Sequence, residues 1–383
     1  MKKAHIGILA LMIFFLAAPV GQAQEPPMTS VPDQMVVPPV DEYARAEVMT
    51  IIEEGQRSFD NEAYSQPYQL VRLRVLSGPE VGKELEIRHG YDFPIREQQK
   101  VAVGQTVVLV KTQAFGETTY LISDPYRLPW VGLIVAIFLV VAVFFGRFKG
   151  IGSVIGLLVS ILILVKYIVP TIVSGGNPVT TSLVGSVAIA VLSLYPAHGF
   201  SRRTSIALVS MLISLGLATG LASLFVGLAR LFGMGTEEAF YVQMGLLENI
   251  DLKGLLLGGI IIGALGVLDD VTTGQAAAVD EIHKANPTLP FIELYRRGLS
   301  VGREHITSLV NTLALAYIGA GLPLLLLFTT NTVQPLWVAM NAESIVEEII
   351  RTLVGSTTLI FAVPITTALM AHILKRWPSH TSV

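Results

Sequence analysis

Two short stretches hold most of the chemistry this chain could perform. The first, Asp269-Asp270-Val271-Thr272-Thr273-Gly274-Gln275-Ala276-Ala277-Ala278-Val279-Asp280-Glu281-Ile282-His283, sets two adjacent carboxylates before a run of small residues and two more beyond it. Only Gly274 is unfavourable to a helix here. In a helix Asp269, Thr273, Ala276 and Asp280 share one face, and Asp270, Gly274, Ala277 and Glu281 share the face beside it. The acidic pairs then stand about three turns apart, and the small side chains between them leave room for an ion, a backbone or another helix. The second stretch places Arg303, Thr307 and Asn311 at intervals of four, with Glu304, Ser308 and Thr312 beside them. Polar groups of this kind are costly in hydrocarbon and ordinarily face partners or water. Two readings stay open. Asp269, Asp270, Asp280, Glu281, Arg303, Glu304, Thr307 and Asn311 line a cation or substrate path, or an ion pair from Asp269 or Asp270 to Arg303 pins two helices.

Other chemistries lack their residues. The chain has no cysteine, which excludes disulfides, thiol nucleophiles and thiolate metal sites. Its seven histidines are scattered. It has no GxxxxGK[ST] loop for nucleotide phosphates and neither an HExxH nor a GxSxG motif. No metal, cofactor or enzymatic activity is expected. A net charge of −3 gives no electrostatic case for nucleic acid.

The elements that must position these residues are membrane helices. Of 383 residues 52% are hydrophobic and only 14% charged, against roughly 25% charged in soluble domains. Seven apolar segments follow residue 128: Pro129 to Phe145, Ile151 to Val173, Val179 to Tyr195, Ile206 to Ala229, Leu255 to Leu268, Leu309 to Phe328 and Leu353 to Leu374. Gly216 with Gly220, and Gly259 with Gly263, have the small-xxx-small spacing of close helix contacts. Lys166, deep in the second segment, is expected to snorkel to an interface. One set of connections carries Arg147, Lys149, Arg202, Arg203, Lys284, Arg296, Arg297, Arg303, Lys375 and Arg376, and the opposite set only Arg230, Lys253 and Arg351. The positive-inside rule puts the richer side, and with it the C-terminus, in the cytoplasm. Between spans, 236–251 and 342–352 read as outward surface helices whose glutamates are solvated.

Ahead of the spans the pattern differs. Lys2 and Lys3, the apolar run Ile6 to Ala18 and the small residues of Gly21-Gln22-Ala23 read as a signal peptide over 1–23, or an uncleaved anchor. Residues 24–45 form a Pro-rich linker. Residues 46–128 carry five short β-branched runs, at 48–52, 68–76, 85–89, 101–110 and 119–123, which predict an extracytoplasmic β-rich domain resembling a small OB- or SH3-like barrel. The fold class is therefore a mostly α-helical integral membrane protein of about seven spans, residues 129–383, behind a small β-barrel-like domain.

The run GGIIIGALGVLDDVTTGQAAAVDEIHKANP, followed by LSVGREHITSLVNTLALAYIGAGLPLLLLF, resembles the YibE/F-like family of bacterial membrane proteins. GRFKGIGSVIGLL and HGFSRRTSIAL agree with it, and the likeness extends over residues 45 to 375. The resemblance implies a multi-pass inner-membrane protein with an extracytoplasmic β-rich region. It matches the family's Asp at the end of span five with Asp269 or Asp270, and its Gly-Arg-Asp element with Gly302, Arg303 and Glu304. It brings no catalytic residue with it.

The partners expected are the lipid bilayer, a small solute or ion, and an extracytoplasmic protein. The functional expectation is a secondary transporter or permease, because charged groups sit at a span boundary and no nucleotide motif is present. The alternative is a membrane scaffold or accessory subunit whose outer domain binds a partner. An intramembrane enzyme lacks a motif, and the absence of a visible internal repeat weighs against the transporter.

Overall fold

A computed structural model describes residues 42–58, 65–114, 117–244, 250–330 and 335–376. The signal-peptide expectation and most of the linker lie outside the described residues. The chain divides into two units, residues 25–140 and 141–383 together with 1–24.

Among its described residues the first unit holds five strands, β1 (Glu42–Ser58), β2 (Ser65–Val75), β3 (Glu84–His89), β4 (Thr106–Ala114) and β5 (Glu117–Pro125), in one antiparallel sheet of order β3-β2-β1-β4-β5. Alternation sets the faces. Val71, Leu73 and Val75 are buried against Val48, Ile87, Val107 and Leu109, while Arg72 and Arg74 point outward and pair across the strands with Glu86 at 2.7 Å and Glu84 at 3.4 Å. All five expected strands are present, but their boundaries move. The first begins at Glu42, inside the expected linker, because residues 42–47 pair with β4. The fourth begins at Thr106 rather than 101. Residues 101–105 are held instead by the buried Gln69, which accepts from the Val101 N–H at 2.8 Å and donates to its carbonyl at 3.1 Å. A turn then follows with Gly104 at φ +81°.

The sheet curls until its edge strands line one cleft of about 300 Å³, walled by Ile87–His89 of β3 and Leu121–Ser123 of β5, with Tyr43 and Phe93 exposed at its rim. Carboxylates pin the outside. Glu80 accepts from the Tyr120 hydroxyl at 2.9 Å and faces Lys111, and Glu54 accepts from Gln69 and Lys100, so both carboxyls are held below the usual carboxylate range. A lowered folded pKa stabilises above the unfolded value and is lost as pH falls through the folded one. Residues 40–126 expressed alone should give a β-rich circular dichroism spectrum that melts progressively earlier below about pH 4.5. Glu80→Gln should flatten that acid dependence. A helical or random-coil spectrum would contradict the fold.

Among the described residues five helices are long and apolar enough to cross a membrane: Leu128–Val173, which begins in the first unit, and Pro178–His198, Arg202–Leu228, Leu252–Ala285 and Glu343–Arg376 of the second. The first is a 46-residue run that a straight helix would carry about 69 Å. It is broken at Arg147, where φ is 51° and ψ −135°. A Cβ on Gly150 would lie 3.2 Å from the Val143 Cα, so the chain doubles back there. The segments are α1 (Leu128–Ile163, broken at Arg147), a π-helical turn (Leu164–Ile168) and α2 (Val169–Val173). Lys166 lies in the π-turn and is exposed. Next come α3 (Pro178–His198), α4 (Arg202–Leu228), α5 (Glu237–Met244), α6 (Leu252–Ala285), α7 (Phe291–Ala320), α8 (Leu322–Thr330), α9 (Leu336–Met340) and α10 (Glu343–Arg376). The sixth expected segment is thus divided between α7 and α8.

Helix α6 is the hub, packing against α3, α4, α10 and α7. The close glycine contacts are not at the expected pairs. A Cβ on Gly216, Gly220 or Gly259 would meet nothing within 4 Å, because these three face away from the bundle, and one on Gly263 would meet only the Tyr317 hydroxyl of α7 at 3.4 Å. The tight contacts are at Gly156 against Ser193, Gly258 against Ser182, and Gly298 and Gly302 against α6 and α10.

Candidate functional site

Helix α6 continues unbroken through the acidic stretch, as the lack of a strong breaker predicts. Its buried face carries Leu268, Val271, Thr272, Gln275, Ala276 and Val279, and its outer face Gly266, Asp270, Gly274 and Glu281. Asp270 is exposed beside two glycines whose surroundings are open. Asp269 is half-buried, and its Oδ1 is buried with no hydrogen-bond partner. The Thr273 hydroxyl donates to the Asp269 and Asp270 carbonyls at 2.8 and 3.2 Å, so it turns back on its own helix.

Asp280 and Glu281 are occupied elsewhere. Lys284 pairs with Asp280 at 2.9 Å and with Glu281 at 2.7 Å, and Arg203 at the start of α4 stands 4.0 Å from Asp280. These two carboxylates belong to an ionic cluster about 15 Å along the helix from Asp270. They are not drawn into one site with it.

Across from α6, Arg303, Glu304, Thr307 and Asn311 are all exposed on α7. The Thr307 and Thr312 hydroxyls donate to the Arg303 and Ser308 carbonyls, at 3.0 and 2.9 Å. No ion pair within 4.0 Å joins Asp269 or Asp270 to Arg303, so the helix pin, one of the two open readings, is not made. The apolar side of α7, with Leu299, Ile306, Leu309 and Val310, packs on the bundle, which turns the polar stripe outward.

What does pin these helices is a residue without charge. The buried Gln275 amide donates to the Gly298 carbonyl of α7 and to the Thr367 hydroxyl of α10, each at 2.8 Å. Gly298 and Gly302 let α7 approach: a Cβ on Gly302 would sit 2.9 Å from the Gln275 Oε1 and one on Gly298 2.7 Å from a Thr367 methyl. The signal was present in the sequence. Gln275 is polar within the buried series 268, 271, 275, 279, and Gly298 with Gly302 repeats the small-xxx-small spacing. With Gly263 against Tyr317 these contacts set an antiparallel register in which Asp269 and Asp270 stand level with Thr307 and Ser308, and Gly266 with Asn311.

A second missed feature lies at the other end of α10. Glu343 accepts from the backbone N–H groups of Phe232, Gly233 and Met234 at 2.6, 2.8 and 3.3 Å, and the buried Glu347 accepts from Gly235 at 3.0 Å. These glutamates are clamps on the loop after α4, not a solvated face. The loop can offer its N–H groups in series because Arg230 and Gly233 have positive φ, 53° and 82°.

Among the described residues no cluster of three or more His, Asp or Glu side chains is arranged to hold a metal ion. No curated protein and no solved structure matches the chain. The family described as YibE/F-like protein matches residues 134–376, which leaves all five strands outside the match. By that match, over more than half its length, the chain belongs to the YibE/F-like family.

Proposed function

We propose that the chain is a seven-span permease of the bacterial inner membrane that moves a small cationic solute or ion past Asp269 and Asp270. The break at Arg147 supports counting α1 as two spans, and α7 with α8 supplies the sixth. Helix α3, 21 residues and about 32 Å long, matches a hydrocarbon core of about 30 Å. Gly254 packs on Pro178 and Gly258 on Ser182, so Asp269 stands level with Ser193, about 8 Å inside the end of α3. That register supports reading the acidic pair as inside the bilayer. The observation that carries the reading is the unpartnered, buried Asp269 Oδ1 beside an Asp270 flanked by glycines. A carboxylate is retained at such a depth when it faces water or cargo. Purified protein in liposomes should pass a monovalent cation or proton down an imposed gradient faster than protein-free liposomes. Equal leak across a panel of such ions would remove the reading.

The proposal also fixes orientation: β-sheet unit outside, C-terminus in the cytoplasm. Because the chain lacks cysteine, single cysteines at positions 60 and 380 should differ in reactivity toward an impermeant thiol reagent in intact cells. Equal labelling would contradict seven spans.

The scaffold alternative is favoured by one observation, the cleft of about 300 Å³ between β3 and β5 with Tyr43 and Phe93 exposed at its rim. It fits an extended segment of an extracytoplasmic protein, since among the described residues β3 and β5 each pair with one strand of the sheet only. A phenotype lost in Leu121→Asp but kept in Asp270→Asn would favour this reading.

A further inference from the structure

We infer that α7 is the seam of a homodimer, in which the outward polar stripe of one copy is completed by the same stripe of a second. The inference rests on the reading of α7 as a span. Along its outward face Ser300, Glu304, Thr307, Asn311 and Leu315 follow one another at intervals of three or four residues, all exposed. Asn311 has no side-chain hydrogen bond among the described residues, and the α6–α7 register sets it level with Gly266, about 12 Å inside the end of α3. An amide at that depth, with two donors and an acceptor oxygen, is driven toward a protein partner, because lipid tails offer none.

The stripe itself identifies the partner as a second copy. Two chains in one membrane with the same orientation are related by an axis along the bilayer normal, so each residue meets residues of its own height. Asn311 is self-complementary, since one amide donates to the carbonyl oxygen of the other. Arg303 and Glu304 are adjacent in sequence, differ by only about 1.5 Å in height and lack ion pairs in the single chain. Across a two-fold axis Arg303 meets the partner's Glu304 while Glu304 meets the partner's Arg303, giving two reciprocal pairs. A like-charged stripe would have repelled itself, and a wholly apolar one would have been satisfied by lipid.

The test uses the full chain in liposomes. Ser308→Cys should be cross-linked into dimers by mild oxidation, well ahead of Ile213→Cys on the outer face of α4. Single-molecule photobleaching should show mostly two-step traces for the wild type. Arg303→Glu and Glu304→Arg should each weaken dimerisation about tenfold, and the double exchange should restore it. Asn311→Leu, which keeps the helix apolar and does not strain the fold, should also raise the monomer fraction. One-step traces for the wild type at every lipid dilution, cross-linking of Ser308→Cys no faster than of the control, or a double exchange no better than the singles would overturn the inference. So would dimers formed only with a different protein. Thiol labelling of positions 288 and 336 from opposite sides reports separately whether α7 crosses the membrane, and none of the assembly readouts depends on flux.

Discussion

Gly302→Ala should destabilise the membrane unit by roughly 1–3 kcal/mol, whereas Gly266→Ala should leave it unchanged or slightly more stable. Both are glycines in helices that gain one methyl. On α7 the methyl of residue 302 would land against a Val363 methyl and 2.9 Å from the Gln275 Oε1, at the junction of three helices. Neither neighbour can yield cheaply. Val363 is fully buried, and the Gln275 amide is fixed by two bonds of 2.8 Å. On α6 the methyl of residue 266 meets nothing within 4 Å, so only the gain in helix propensity remains. Gly302→Leu should prevent accumulation in the membrane. Gln275→Leu should cost less, about 0.5–2 kcal/mol, because the Thr367 hydroxyl keeps its bond to the Val363 carbonyl at 2.7 Å. Membrane abundance checks Gly302→Leu and thermal unfolding in detergent checks the order of the other three variants, and equal melting of Gly302→Ala and Gly266→Ala would refute the junction.

Asp270→Asn should abolish transport at wild-type abundance, and adding Arg303→Gln should not rescue it. Had an ion pair been the purpose of Asp270, removing one partner would strand a charge near hydrocarbon, and removing both would restore stability. The separation of Arg303 from both aspartates predicts a different square. Arg303→Gln leaves the monomer's fold intact, each aspartate variant loses flux alone, and each double variant resembles the aspartate variant. Asp269→Asn has a smaller effect on access, because its side chain is half-buried while Asp270 is exposed on the glycine-flanked face. Restoration of abundance or flux in either double variant would return the aspartates to a structural role.

Elements were more legible in the sequence than contacts. Gln69-Leu70-Val71-Arg72-Leu73-Arg74-Val75 shows its strand by alternation alone, and the pattern survives in the sheet because one face is buried and the other solvated. Membrane segments are legible for a similar reason, since hydropathy is a property of a stretch. The residues that join helices are single positions, and neither their type nor their spacing says which way they face. Gly216, Gly220 and Gly259 have the same spacing as Gly298 and Gly302, yet only the latter face a neighbour. Charge drew attention to Asp280 and Glu281, which Lys284 and Arg203 occupy, and away from Gln275, Glu343 and Glu347. The Glu343 clamp depends on backbone N–H groups more than a hundred residues earlier, brought near by a left-handed turn at Arg230 and Gly233. No local pattern encodes that pairing.

The central claim is that a carboxylate on α6 faces the path of a moving cation. Flux through purified wild-type protein and Asp270→Asn, reconstituted in liposomes at matched density and with matched melting temperature, tests it most directly. Flux that falls to the level of empty liposomes in the variant is the expected result. Wild-type flux through Asp270→Asn would contradict the account.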